Sequence, residues 1–229
     1  MTGADQLGDS LREHGLFLRG ITRLRDDEIE NLGLDPASPG LALVGNIGSS
    51  YWPCFSHSPE FGDGLADPLD RWSRRIAAEI ARDFALRPLF PFEGPPYYPF
   101  QQWARRAEGL EQSPIGVLMH PDFGLWHSYR FALYGVDADR LQAVAPAVSP
   151  CRACEAKPCL HSCPVEAFDG DSYAVDRCAA YLRQHPEAEC NRRGCLARYA
   201  CPVAPELRYV DAQGSFHLHA FLAAHPAPE

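Results

Sequence analysis

Lysine is almost missing from this chain: Lys157 is the only one, and the other basic residues are arginines. Acidic residues outnumber Lys and Arg by 30 to 21, which leaves a net charge of −9. Gripping a nucleic-acid backbone requires a basic face, so this balance predicts no nucleic-acid partner. Long apolar runs are missing too. No window approaches the eighteen uncharged apolar residues of a membrane span, and no membrane partner is expected. The opening "MTGADQLGDSLREHGLFLRG" has no basic stretch followed by an unbroken apolar run, so no signal peptide is expected and a cytoplasmic location follows. In that compartment thiols stay reduced, and the nine cysteines read as metal-binding or redox groups rather than as disulfides.

Of the 229 residues, 46% are hydrophobic, enough for a real core in one large or two small domains. Eight of the nine cysteines fall between Cys151 and Cys201, and only Cys54 lies outside. That asymmetry predicts a boundary near residue 145, giving domains 1–145 and 146–229, with "LQAVAPAVSP" (141–150) as the linker. The first half alternates helix and strand patterns, an α+β signature. Leu7 and Leu11 suit a first helix that Gly15 can stop. "LFLRGIT" (16–22) and "LALVGNIG" (41–48) read as strands, and "RDDEIENLGL" as a short helix between them. Leu69, Trp72, Ile76, Ile80 and Phe84 mark a helix over 67–84, with Asp67 as N-cap and Pro68 at its first position. "LRPLFPF" (86–92) reads as an edge strand because of its prolines. A helix follows through "QQWARRAEG", and "IGVLMHP" (115–121) and "LWHSYRFALYGV" (125–136) are the last strand candidates. The second half has little apolar periodicity beyond helices at 175–185, capped by Asp176, and 215–225. Bound metal would supply the missing organisation.

The cysteines run Cys151-x2-Cys154-x4-Cys159-x3-Cys163-Pro164, then Cys178, then Cys190-x4-Cys195-x5-Cys201-Pro202. Four thiolates hold one [4Fe–4S] cluster, so eight hold two. In two-cluster ferredoxins the cysteine before proline ligates the other cluster. By that logic Cys151, Cys154, Cys159 and Cys201 hold one cluster, and Cys163, Cys178, Cys190 and Cys195 the second. Structural zinc, which uses similar tight pairs, is the alternative. Cys54 is read as a buried, inert thiol.

The four-cysteine group ending in Cys-Pro, the lone cysteine in "DRCAAYLRQH" and the group in "RGCLARYACPV" resemble the tail of epoxyqueuosine reductases. Reductive dehalogenases carry a related two-cluster tail. "LALVGNIGSSYWPCF", "DPLDRW" and above all "IGVLMHPDFGLWHSYRFALYGV" resemble vitamin B12-processing proteins of the cblC type. The two resemblances together span about residues 40–205. They imply a nitroreductase-like, corrinoid-binding α+β domain followed by a ferredoxin-like module with two [4Fe–4S] clusters. They also imply cobalamin as a further cofactor, held base-off, and a redox donor protein as partner.

On that implication the cofactor-binding candidates are His120, His127, Trp126 and Arg130, together with Gly94, Pro95, Tyr97 and Tyr98 of the stiff aromatic loop "PFEGPPYYPF". His120 is equally read as a turn cap, Trp126 and Tyr129 as core, Arg130 as a surface arginine, and the loop as packed on its own core. The glycines of "GNIGSS" lack the full dinucleotide fingerprint. Asp122 could donate a proton or merely close a turn. The expected function is cobalamin-dependent or cobalamin-processing reduction fed through two clusters. The alternatives are a ferredoxin-type carrier whose front domain binds a partner, and a flavin in the front half.

Overall fold

The computed structural model describes residues 3–137 and 147–227. Its architecture is mixed α/β. The chain divides into two units, one of Met1–Gly109 with Ser128–Pro146, the other of Leu110–His127 with Ala147–Glu229. Unlike the single boundary expected from the cysteines, this division is discontinuous: an earlier piece of chain, Leu110–His127, groups with the cysteine-bearing unit. Most of the expected linker, 141–146, lies outside the described residues.

In the first unit α1 (Gly3–Arg12) leads into β1 (Phe17–Arg23), followed by α2 (Asp26–Leu32) and β2 (Gly40–Ile47). Two short helices, α3 (Trp52–Ser56) and α4 (Pro59–Gly62), precede α5 (Pro68–Asp83). Then come β3 (Arg87–Leu89), α6 (Phe100–Glu108) and, after the excursion into the other unit, a strand over His127–Val136. The sheet order places that last strand between β2 and β3, so β3 is an edge, where Pro88 costs no ladder hydrogen bond.

Helix α5 follows its sequence pattern. Leu69, Trp72, Ile76 and Ile80 recur at helical spacing and are all buried, each side chain contributing about 1.5–3 kcal/mol of transfer free energy. Pro68 occupies the first turn as expected, whereas Asp67 makes no side-chain cap there. Cys54 differs from its expectation. It is exposed on α3, where the neighbouring Phe55 takes the buried position.

Two buried carboxylates anchor this unit. Glu28 accepts hydrogen bonds from Trp103 Nε1 at 3.1 Å, from the Arg25 amide at 2.9 Å and from Arg106 Nη2 at 2.8 Å. Glu108 pairs with Arg19 at 3.2 Å and accepts from the Tyr129 hydroxyl, all three largely out of solvent. Burial holds the Glu108 pKa above the carboxylate range despite the Arg19 charge.

The second unit contains β4 (Glu111–Gln112) paired antiparallel with β5 (Leu118–Met119), and the strand over His127–Val136 is therefore β6. The expected strand at 115–121 is reduced to β5. Helices α7 (Pro158–His161), α8 (Val175–Gln184), α9 (Glu189–Arg193), α10 (Leu196–Tyr199) and α11 (Asp211–Ala224) complete it. Helix α8 starts one residue before Asp176, which lies in its first turn instead of capping it. A carboxylate there still complements the helix dipole. Among the described residues, no helix is long and apolar enough to cross a membrane.

Burial raises the Glu28 pKa, but the Arg25 amide, Arg106 and Trp103 pull it below the usual value of 4.5. A depressed carboxylate contributes stability that is present above the unfolded-state pKa and is lost as pH falls through the folded-state pKa. We expect Glu28→Gln to cost about 2 kcal/mol at neutral pH and to flatten the acid limb of stability. Urea unfolding of both proteins at about pH 7 and about pH 3.5 checks it. An equal loss on acidification in wild type and variant would place that acid sensitivity elsewhere.

Candidate functional site

The second unit places its eight cysteines around two cavities. Cys151, Cys154, Cys159 and Cys201 line a cavity of about 370 Å³ that opens to solvent. Cys163, Cys178, Cys190 and Cys195 line another of about 390 Å³. Each set thus takes three cysteines from one stretch and one from the other. Cys201 leaves the C-terminal group for the first cavity, and Cys163 leaves the N-terminal group for the second. Among the described residues, no three His, Cys, Asp or Glu side chains converge on a single-ion site.

Local structure explains how a short, polar stretch achieves this. Pro150 opens a 3-10 turn that carries Cys151, and Ser149 caps it by accepting from the Cys151 amide at 3.3 Å. Pro158 opens α7, which carries Cys159. Helix α8 carries Cys178, α9 carries Cys190, and Cys195 is the N-cap residue of α10.

The thiols sit where charge is disfavoured. Burial raises the pKa of Cys151, Cys159, Cys178, Cys190 and Cys201, and lifts Cys195 to about 11. Neighbouring thiols add to the shift, Cys201 and Cys154 acting on Cys151, and Cys190 and Cys178 acting on Cys195. Backbone amides oppose it. The Ala167 N–H donates to Cys163 Sγ at 3.4 Å, and amides of Leu196, Arg198 and Val203 donate to Cys190, Cys195 and Cys201. Such donors favour the ionised sulfur. The cavities therefore hold closely grouped thiols with amide support and too little charge compensation of their own, which suits a bound cationic centre.

The apolar wall of the first cavity comes from the segment that precedes β6. Met119 and Leu125 line it and join Ile115, Ala197 and Cys201 in one buried cluster. Gly124, at φ 57°, lies so close to the Val203 carbonyl that a Cβ would collide with it. The Arg198 Nε donates to Leu125 O at 3.0 Å. Its guanidinium lies over the rings of Trp126 at 5.1 Å and Tyr209 at 4.4 Å. "HPDFGLWH" thus belongs structurally with the cysteines, although its resemblance implied a place in the front domain.

The eight residues nominated for a corrinoid divide between the two units. In the first, Arg130 pairs with Asp70 at 2.6 Å and donates to Ser73 Oγ at 3.1 Å. Gly94, Pro95 and Tyr97 are exposed, and the Tyr98 ring lies tilted against Trp103 with centroids 5.9 Å apart. Asn46 of "GNIGSS" is buried and holds its own turn by donating to Gly48 O at 2.7 Å. In the second unit His120 Nδ1 accepts from the amides of Asp122 and Phe123 at 3.0 and 3.2 Å, which is a turn cap. His127 is buried with Nε2 at 3.0 Å from Leu118 O. Trp126 is buried against Tyr199 and Tyr209. Asp122 closes the same turn through its amide and is exposed. Arg198 belongs to no periodic apolar pattern; its place in "RGCLARYACPV", three residues before Cys201, was the only hint.

No protein-family model matches this sequence, and no curated protein does. Similarity appears only in solved structures. Epoxyqueuosine reductase from Bacillus subtilis, with its catalytic aspartate loop swung out of the active site, matches with a TM-score of 0.50 and 13% identity over 86% of this chain. This chain spans 64% of that one. Epoxyqueuosine reductase with an epoxyqueuosine-modified tRNA stem loop matches with a TM-score of 0.49 and 14% identity, over 92% of this chain and 69% of that one. At these identities the likeness is one of fold. That second structure holds a tRNA stem loop, and the exclusion of nucleic acid drawn above from charge does not stand, for a physical reason. A net charge sums the whole surface, whereas phosphate contact is decided by local patches, so −9 does not exclude such a partner.

Helix α11 rests on α9, which with its following turn carries Cys190 and Cys195. A Cβ on Gly214 would collide with the Arg193 carbonyl. Ala in a helix interior ordinarily gains about 1 kcal/mol over Gly; here Gly214→Ala is expected to lose about 2 kcal/mol through overpacking. Thermal unfolding reads the sign, and an unchanged or higher Tm would show that α9 and α11 part without cost.

Proposed function

We propose that this chain is an iron–sulfur oxidoreductase whose ferredoxin-like second unit holds two [4Fe–4S] clusters and passes electrons to a corrinoid bound by a nitroreductase-like front domain. The observation that carries the cluster reading is the sorting of eight thiols into two sets of four, each around its own cavity, with Cys163 and Cys201 exchanged between the sequence groups. That exchange is the interlock of two-cluster ferredoxins. One cluster takes Cys151, Cys154, Cys159 and Cys201, the other Cys163, Cys178, Cys190 and Cys195. Bound clusters supply one-electron transfer.

The chain's own residues set the conditions for it. The amide donors to Cys163, Cys190, Cys195 and Cys201 stabilise negative sulfur, and hydrogen bonds of this kind tune cluster potentials. Arg198 and Arg208 place positive charge toward Cys201. Met119 and Leu125 keep apolar side chains on the wall of the first cavity, lowering the local dielectric there.

The corrinoid part rests on the sequence resemblance and on the fold shared with an epoxyqueuosine reductase. His120 Nδ1 and His127 Nε2 meet backbone groups, and Arg130 pairs with Asp70; an imidazole held through one nitrogen can still ligate through the other, so this geometry does not choose, and no chemical step is assigned through cobalt. The second reading is a ferredoxin-type carrier whose front domain receives a protein partner.

Anaerobic reconstitution tests the first part. About eight iron and eight sulfide per chain are expected, and two zinc without sulfide would replace the reading with structural zinc. Cys54→Ala should keep full iron. Cys163→Ala should lose iron and destabilise the second unit, and full iron in that variant would dismiss the exchanged ligands. Titration of the iron-loaded protein with hydroxocobalamin separates the two destinations. A base-off spectral change supports the corrinoid; an unchanged spectrum with intact clusters leaves the carrier.

A further inference from the structure

Next to the second cysteine cavity lies another, of about 300 Å³, that the electron-transfer reading does not use. Its walls include Trp126, Arg193, Arg198, Tyr199, Tyr209 and Cys195. What sets it apart is a set of donors without acceptors. Trp126 is 1% exposed, yet its indole Nε1–H has no hydrogen-bond partner. Arg193 Nε is likewise buried without one; its ion pair to Asp211 spans 3.7 Å, beyond a hydrogen bond. Arg198 spends Nε and Nη2 on Leu125 O and Tyr209 Oη, and Nη1 takes no part in those bonds.

A buried donor left unmade costs about 1–3 kcal/mol, and buried donors in native proteins are nearly always satisfied by protein, water or ligand. Here an indole N–H and two guanidinium groups face one small space. The acidic side chains paired with its arginines are Glu189, 2.9 Å from Arg193 Nη1, and Asp211, 3.7 Å from Arg193 Nε, both exposed to solvent. In a chain of net charge −9, a pocket walled by two arginines is a local reversal of sign. Donors without acceptors, beside positive charge and aromatic faces, describe a receptor for an oxyanion.

We propose that this pocket binds a small oxyanion, a phosphate or carboxylate group, through Trp126 Nε1, Arg193 and Arg198. The site lies wholly within the second unit and does not depend on the cluster reading. Water is the competing occupant, since a polar cavity of this size admits it.

Isothermal titration calorimetry of the purified full chain with inorganic phosphate and, separately, with acetate tests the proposal, chloride serving as the control ion. Saturable one-site binding of one or both oxyanions is expected, and which of them binds tells the phosphate from the carboxylate source. Trp126→Phe should weaken it about tenfold, the loss of one charge-assisted hydrogen bond. Should that variant unfold, Arg193→Gln, on a partly exposed side chain, should weaken it by a similar factor. No saturable heat with either ion, or affinities unchanged in Arg193→Gln, would assign the pocket to water and overturn the proposal. Iron content measured on the same samples separates loss of anion binding from loss of clusters.

Discussion

Arg198 ties together three stretches of chain that are remote in sequence. It grips the carbonyl of Leu125, lies over Trp126 and Tyr209, and turns its charge toward Cys201. The cysteine segment walls its second cavity with its own Phe168, Leu182 and Leu196, but the first borrows Met119 and Leu125 from the segment 110–127, and Arg198 holds that segment there. A guanidinium suits the task because its plane stacks on rings while its edge donates hydrogen bonds; a lysine in its place would do neither as well. The near absence of lysine from the whole chain thus has a local counterpart, whatever its cause elsewhere.

How much of this could be read in advance depended on the range of the interaction involved. Helix α5 was legible because its signals are local: Pro68 in the first turn and an apolar side chain every three or four residues. The edge position of β3 was legible from Pro88 for the same reason. The cap assigned to Asp176 missed by two positions, Ala174 taking the N-cap, because a helix start is decided by a single pair of backbone angles. Cys54 was misjudged because a five-residue helix has no periodicity to say which side faces the core; Phe55 took that side. The grouping of Leu110–His127 with the cysteines was illegible altogether. It is a tertiary contact between Leu125 and Arg198, 73 positions apart, and no window of sequence contains both.

The candidate sites show the same division. Cysteine spacing carries its own expectation, because the number of thiols in a run and a proline after the last of them are features of neighbours in the chain. The histidines carried none. His120 and His127 were candidates on residue type, and one ring nitrogen of each meets a backbone group within ten positions. A histidine that caps a turn and one that waits for a metal look identical until their neighbours are placed. In the front unit the buried charges went unnoticed for the same reason: Glu28 and Arg106, or Arg19 and Glu108, meet only after the sheet and α6 are assembled.

The route of the chain has a consequence for how the protein is made. The ribosome completes α6, then releases 110–127 before their partners in 147–201 exist, and only then β6, which occupies an interior place in the first sheet. Met119 and Leu125 must therefore wait in water while some eighty later residues emerge, and the first sheet stays open until β6 arrives. Neither unit can be finished before the chain has passed through the other.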